Sequence, residues 1–350
     1  MNIFLIYGGK SAEHEVSIVS AYNIVKEINF EQHIVKPIYI TREGKWVKGD
    51  DLKTAEHINS QIDMIVSEDQ PAFDFNELRQ EDAVAFPVLH GPNGEDGTVQ
   101  GLFEVLDVPY VGCGVLASST GMDKIISKAL FEHAGIPQLP YVPVNQKRWK
   151  LDQDEVIQSI ESELSYPMYV KPANMGSSVG ISEAKDQNEL RQAIVLAFEF
   201  DHRVVVEQGV IAREIEISIL GNEDVNTSVP GELVKDIQFY DYESKYENNN
   251  VTLQIPANVD NNIITKLKDY AAKAFLAIDG SGLTRADFFV TENNEIYINE
   301  VNTFPGFTPI SMYPKLWENT GLSYHDLIEE LIQLGIKRHQ VRSEKQLKDR

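Results

Sequence analysis

Arg285-Ala286-Asp287-Phe288-Phe289-Val290, then Thr291-Glu292-Asn293-Asn294-Glu295, then Ile296-Tyr297-Ile298-Asn299-Glu300-Val301-Asn302 is the stretch that decides how this chain is read. Two apolar runs flank a polar, Asn-rich segment, which predicts a β-hairpin. A turn centred between Asn293 and Asn294 sets Asp287 directly opposite Glu300. Side chains alternate along a strand, so Arg285, Asp287, Glu300 and Asn302 share one face at the end away from the turn. Carboxylates that face each other across a strand pair repel. A hard divalent cation held by carboxylate and amide oxygens would offset that repulsion, and two Mg²⁺ bridged by the second carboxylate would suit nucleotide phosphates. The competing reading is a solvated polar edge neutralised by Arg285.

Working outward, several glycine-rich segments follow predicted strands. Lys171-Pro-Ala-Asn-Met-Gly-Ser-Ser-Val-Gly180 lets backbone N–H groups approach an anion, and Lys171 adds a point charge. Lys124 lies in the helix before it. No Gly-Lys-Ser/Thr closes the segment, so it is not a P-loop. Gly8-Gly-Lys-Ser-Ala-Glu-His-Glu-Val-Ser17 sits between the first strand and its helix, the end of a parallel sheet where ligands bind. Glu13 and Glu15 there suit a substrate ammonium, or else serve a helix first turn capped by Ser11 or Ser17. His90-Gly-Pro-Asn-Gly-Glu-Asp-Gly-Thr98 is a compact loop at another strand end, where His90 is either a structural residue or, from its position, a site residue. Glu207 ends a strand where backbone groups could meet an adenine edge, and Glu214 could accept from ribose hydroxyls. Asn302-Thr-Phe-Pro-Gly306-Phe-Thr-Pro-Ile-Ser-Met312 leaves the hairpin stiffened by two prolines, with Gly306 permitting close backbone approach.

The surrounding pattern is α/β and then α+β. Ile3–Tyr7 is a continuous apolar run, as in a strand buried on both faces. Ser17–Ile28 has helical spacing, and 35–40, 83–89 and 108–111 are further strands, with a short helix over Thr98–Leu106; alternating strands and helices predict a parallel sheet. A new unit starts near Ser118, where Ser118, Ser119 or Thr120 caps a helix with Asp123 in its first turn, stopped by Gly135 and Pro137. Strands follow at 167–171 and 204–207. Glu214–Ile219 alternates strictly, as a half-buried antiparallel strand does. The third region holds a polar segment (239–250), a helix over 262–278, the hairpin, and a final helix over 325–338 followed by a tail expected to fray. The segments 176–180 and 239–250 are polar and Gly- or Asn-rich, and are expected to close over bound ligands.

Composition excludes several classes. The 350 residues carry 31 Lys and Arg against 54 Asp and Glu, a formal charge of −23. Nucleic-acid binding needs clustered cations, and anionic membrane would repel such a chain. The apolar residues, 42% of the total, suffice for a large core. Cys113 is the single cysteine, so no internal disulfide forms and a reducing cytoplasm is expected. In Val-Gly-Cys-Gly it reads as a small apolar filler, not a nucleophile. The N-terminal apolar run is too short for a signal-peptide core or a membrane span.

Together these segments make the chain resemble the D-alanine–D-alanine ligases of the ATP-grasp superfamily. The long matches are His90 to Gly101 and Arg285 to Gly306, supported by Gly8–Ser17, Lys171–Gly180 and Phe239-Tyr-Asp-Tyr-Glu-Ser-Lys-Tyr246. The resemblance implies an ATP-grasp fold: an N-terminal parallel α/β domain (1–117), a central lid domain (118–215) and a C-terminal antiparallel-sheet domain (216–350). It implies that two D-alanines and ATP give D-alanyl-D-alanine, ADP and phosphate through a D-alanyl phosphate, for peptidoglycan. The alternative is a D-alanine–D-lactate or D-serine ligase of the same fold. By matching position, Asp287, Glu300 and Asn302 would hold two Mg²⁺ or Mn²⁺; Lys124, Lys171 and Lys245 would contact phosphates; Glu207 and Glu214 would hold adenine and ribose. Glu13 would take the first ammonium. Arg285 and the Gly306 N–H would stabilise the tetrahedral intermediate, and Ser311 with Met312 would bind the second carboxylate. Ser177 and Tyr246 would link to Glu13. The resemblance further implies a homodimer, and the tyrosine of Lys245-Tyr246 implies the dipeptide-forming group.

Overall fold

The expected first strand forms the centre of a sheet. In the computed structural model, which describes residues 1–235 and 251–347, β1 (Asn2–Gly8) runs parallel to both β2 (Ile34–Ile40) and β4 (Ala83–Val88). Ile3 to Tyr7 are wholly buried, as a strand covered on both faces must be. A short antiparallel edge strand, β3 (Trp46–Lys48), completes the order β3-β2-β1-β4. Helix α1 (His14–Glu27) begins three residues before the expected Ser17, and α2 (Thr98–Leu106) lies where expected, between Gly97 and Asp107 in left-handed conformation. The strand expected over 108–111 does not form. Tyr110 makes only an isolated parallel bridge to Ala85.

The helix expected to be capped near Ser118 is two helices. α3 (Val115–Met122) runs into α4 (Lys124–His133), and Asp123 is the joint: its carboxylate caps α4 by accepting from Ile125 N and Ile126 N at 3.0 and 3.1 Å. The cap therefore lies at Asp123, where one carboxylate oxygen accepts from both amides. Beyond α4 stands a four-stranded antiparallel sheet, β5 (Tyr141–Asn145), β8 (Arg203–Gln208), β6 (Met168–Pro172) and β7 (Ser182–Ala184), in that spatial order. Its apolar face packs on α5 (Gln146–Leu151), α6 (Gln153–Glu163) and α7 (Gln187–Ala197) through Trp149, Ile157, Ile160, Ile194, Val204 and Val206.

The third sheet is antiparallel and six-stranded: β9 (Arg213–Gly221) at its centre, β10 (Val225–Thr227), β11 (Gly231–Lys235), β12 (Val251–Gln254), β13 (Gly282–Val290) and β14 (Ile296–Asn302). Ile215, Ile217 and Ile219 share the face covered by α8 (Asn261–Ala277), as their alternation predicts. The opposite face is buried too, with Glu216 4% and Ser218 0% exposed, so β9 is not the half-exposed strand expected. The loop after the hairpin and α9 (Met312–Thr320) cover it; Ser218 Oγ donates to Tyr313 O at 3.3 Å. α10 (Tyr324–Leu347) continues well past Arg338, so the tail expected to fray is helical to Leu347. Phe304, Phe307, Tyr313, Leu327 and Leu331 join Ile18, Phe86 and Val88 in one core, which fixes the C-terminal elements against the first sheet. The expected boundary at 215/216 falls inside β9. The expected polar segment 239–250, with Lys245 and Tyr246, lies outside the described residues.

Candidate active site

The hairpin presents its polar face as its alternation requires. Asp287 pairs with Glu300 and Arg285 with Asn302, the register the turn composition predicts. Nearer the turn, Phe288 pairs with Ile298, so Asn299 is an extra residue in a bulge that re-aims the strand. Asp287 also pairs with Glu216 on β9, which sets Glu216, Asp287 and Glu300 in a row across three strands. Arg285 forks onto Asp287 with both contacts at 2.7 Å, and its Nε lies 3.0 Å from Glu216 Oε2. Burial opposes that guanidinium charge, but Asp287 and Glu216 outweigh it and hold the proton more firmly. Asn302 Oδ1 accepts from Phe304 N at 3.0 Å, which turns the chain out of the sheet. Among the described residues no three His, Cys, Asp or Glu side chains converge as a metal cluster; side-chain cations neutralise this face.

Two lysines expected at phosphates sit beside it. Lys124 opens α4; its Nζ lies 3.3 Å from Glu300 Oε2 and donates to Met175 O at 2.8 Å. Lys171, on β6, donates to Glu207 Oε2 at 2.8 Å and to Asn299 Oδ1 at 3.1 Å. A third lysine, Lys128, lies one turn beyond Lys124 with its Nζ 3.3 Å from Glu207 Oε1. Both oxygens of Glu207, itself 2% exposed, therefore face ammonium groups. Burial raises the Glu207 pKa, but the two lysines more than reverse this and hold it below the usual carboxylate range. Lys128 is pushed down by burial, against the pull of Glu207. Glu214 stands at the start of β9, two residues before Glu216, and pairs with Phe289 and Leu233.

The loop after β6 closes the other side. Asn174 donates to Asp201 at 2.9 and 3.0 Å and to Asp123 at 3.2 Å, and Arg203 bonds Asp123, so the base of the loop is tied to the α3–α4 joint. At its tip Ser177 and Ser178 take left-handed φ values of 51° and 60°, uncommon for residues with a Cβ. Ser177 Oγ donates to Glu13 Oε1. Gly91 stands across from this carboxylate with a left-handed φ of +74° that favours glycine, and a Cβ there would come 2.9 Å from Glu13 Oε2.

His90 lies under that carboxylate. Its Nε2 is 3.2 Å from Ser20 Oγ, and its Nδ1 is 3.3 Å from Phe304 O and 3.5 Å from Glu95 Oε1. Burial pushes its pKa down, yet contact with Glu95 and the charge of Glu13 raise it overall. Glu95 is itself raised, first by burial. Ser20 Oγ also accepts from Phe307 N at 3.1 Å, which ties α1 to the loop after the hairpin. In that loop a Cβ at Gly306 would come 2.7 Å from Ser311 Oγ, and Ser311 Oγ accepts from Thr308 N at 2.9 Å. Met312 is buried at the start of α9. Cys113 is far from this chemistry: it is buried, donates to Leu283 O at 3.3 Å, and burial pushes its thiol up to about 11.

The structure thus links Glu13, through Ser177 and the loop carbonyl of Met175, to Lys124 and Glu300, and Asn299, the neighbour of Glu300 on β14, joins them to Lys171 and Glu207. Sequence reasoning passed over Lys128, Glu216, Glu95 and Asn299. The four-residue spacing of Lys128 from Lys124, which puts both on one helix face, was the available signal for the first. Period-two alternation with Glu214 was the signal for Glu216. No helix among the described residues is long and apolar enough to cross a membrane.

Two family models match this chain, D-ala D-ala ligase N-terminus over residues 2–113 and D-ala D-ala ligase C-terminus over residues 130–333. The chain is 51% identical to the D-alanine–D-alanine ligase of Enterococcus hirae, with 97% of each chain covered. It is also 51% identical to that of Enterococcus faecalis, over 97% of this chain and 99% of the relative. Among solved structures, the D-alanine–D-alanine ligase of Coxiella burnetii superposes with a TM-score of 0.83 at 33% identity, covering 98% of this chain and 96% of that one. The VanG D-Ala:D-Ser ligase of Enterococcus faecalis gives 0.81 at 34%, covering 95% and 99%. The chain belongs to the D-alanine–D-alanine ligase family.

Proposed function

We propose that this chain joins two D-alanines into D-alanyl-D-alanine with ATP giving ADP and phosphate, through a D-alanyl phosphate, as a step in supplying peptidoglycan precursor. The observation that carries the reading is the continuous run of contacts from Glu13 through Ser177 and Met175 to Lys124 and Glu300. It joins a carboxylate suited to an amino-acid ammonium with lysines suited to phosphates, as the reaction requires of one cleft. The 51% identity to two ligases named for D-alanine at both positions favours D-alanyl-D-alanine over the alternatives.

A carboxylate is a poor electrophile, so its activation by phosphate and the stabilisation of charge carry the rate. Glu13 would hold the first ammonium, with Ser177 and Tyr246 as its hydrogen-bonding partners. Lys124, Lys171 and Lys245 would meet phosphates, with Glu207 and Glu214 at the base and ribose. As the second amine attacks the acyl phosphate, Arg285 and the Gly306 N–H would receive the developing oxyanion, while Ser311 and Met312 orient the second carboxylate and His90 backs the first substrate. Asp287, Glu300 and Asn302 offer the hard oxygen donors that two Mg²⁺ or Mn²⁺ prefer, and such ions would neutralise phosphate charge when bound. The buried thiol is compatible with a cytoplasmic enzyme. We further propose three working units, a substrate unit around the first sheet, a lid around the second and a catalytic unit around the third, in a homodimer whose mass light scattering would give.

The test is phosphate release by the purified chain with Mg²⁺ and ATP, with product identified by mass spectrometry when D-alanine, D-serine and D-lactate compete. D-alanine-dependent release with dipeptide as the main product is expected at pH 7.5. Release independent of D-alanine, or a predominant lactate ester, would refute the reading.

A further inference from the structure

Lys128 is a buried charge that none of the roles above uses. It is 1% exposed, its ammonium stands 3.3 Å from Glu207 Oε1, and it lies 5.2 Å from the centroid of the Tyr141 ring. Taking an ammonium out of water is costly unless close partners offset it. Here the partner is already claimed: Lys171 donates to the other oxygen of Glu207 at 2.8 Å. One carboxylate thus sits between two ammonium groups, one more positive charge than it neutralises. The two cations are held differently. Lys128 stands on α4, enclosed between helix and strand, whereas Lys171 lies near the end of β6, shares its ammonium with the amide of Asn299, and adjoins the loop that Ser177 ties to Glu13.

We infer that Lys128 is a positioning residue that keeps Glu207 paired through Oε1, so that Lys171 can turn its ammonium from Glu207 Oε2 towards the phosphates of a bound nucleotide. Without Lys128, Glu207 would hold Lys171 as its sole countercharge, or would face the phosphates unneutralised once Lys171 moved. Either effect acts on the phosphates, while Glu207, fixed by its place on β8, still meets the base in both cases, so the nucleoside loses much less. The Tyr141 ring adds to the fit, since its face attracts the ammonium without offering it a negative group to pair with instead. This inference rests on the nucleotide reading of the cleft.

Calorimetric titration of the full chain with Mg²⁺-ADP and, separately, with adenosine tests it. Lys128→Met should weaken ADP by about tenfold or more while adenosine changes less than about twofold. Lys128→Arg, which keeps the charge, should recover most of the loss. Lys128→Met combined with Glu207→Gln should also recover the ratio of ADP to adenosine affinity, because the charge that Lys128 offsets is gone. Equal loss of both ligands in Lys128→Met, or unchanged ADP affinity, would overturn the proposal. If Lys128→Met does not fold, the double variant is compared with Glu207→Gln alone: equal ratios are expected, and a further loss specific to ADP in the double variant refutes the route through Glu207. Failure of the unsubstituted chain to bind either ligand would instead refute the nucleotide reading.

Discussion

Asp123→Ala should loosen the anchor of the loop after β6 measurably. The side chain does two jobs: Oδ1 caps α4 through Ile125 N and Ile126 N at 3.0 and 3.1 Å, and Oδ2 takes Arg203 and, at 3.2 Å, the Asn174 amide. Loss of an N-cap costs about 1 kcal/mol. The Arg203 pair is 9% exposed on the Asp123 side and 29% on the arginine side, so solvent screening discounts it to about 1 kcal/mol. Asn174 keeps its bonds to Asp201, so its share is small. The total is about 2 kcal/mol, or roughly thirtyfold in a local opening equilibrium. Asp123→Asn retains a capping oxygen and should cost about half as much. The assay is hydrogen exchange followed by mass spectrometry over residues 124–133 and 174–180. Faster exchange of about thirtyfold in both segments is expected for the alanine variant. Exchange within about threefold of the unsubstituted chain would refute the reasoning, and equal effects of Asn and Ala would refute its division into cap and charge.

Glu300→Gln removes one charge from the Asp287–Glu300 face, and turnover should fall by about 100-fold or more with circular dichroism unchanged; near-normal turnover at the same Mg²⁺ would remove Glu300 from the metal set. For His90, a folded pKa raised by Glu95 and Glu13 against the opposing effect of burial means its contribution to stability is complete below about pH 6.5 and is lost as pH rises through the raised value. Thermal unfolding of His90→Gln should accordingly show a flatter fall above that pH than the unsubstituted chain. Parallel profiles would show that another group carries the pH dependence.

Much of the site was legible because it is written in local rules. The Asp287–Glu300 pairing followed from a turn composition and a period of two, and it holds at the end that matters. Near the turn the bulge at Asn299 shifts the register by one, which alternation cannot foresee, and it gives Lys171 an amide partner. Glu207 was legible only as the end of a strand, because its partners come from elsewhere in the chain; the structure surrounds its carboxylate with Lys128 and Lys171. The joint at Asp123 was missed because three hydroxyl residues just before it offered equally good caps. The extent of α10 was missed because its C-terminal turns carry charge that isolated sequence reasoning assigns to a solvated tail, whereas His339 and Arg342 reach Asp107 Oδ1 and Glu104 Oε2 at 3.1 and 2.9 Å and fasten those turns to the end of α2.

By itself the sequence determined the faces: Ile215, Ile217 and Ile219 against a helix, Arg285, Asp287, Glu300 and Asn302 together on the other side, and Ile3 to Tyr7 of β1 buried on both faces. Those follow from backbone geometry within a few residues, where alternation and capping operate. Only the tertiary structure decided which charges meet: Lys124 with Glu300, Lys128 and Lys171 with Glu207, Glu216 with Arg285, Ser177 with Glu13. These partners lie on different helices, strands and loops. Their contact depends on how apolar faces far apart in the chain pack against one another, and that packing brings the polar groups within the few ångströms over which a buried charge chooses its partner.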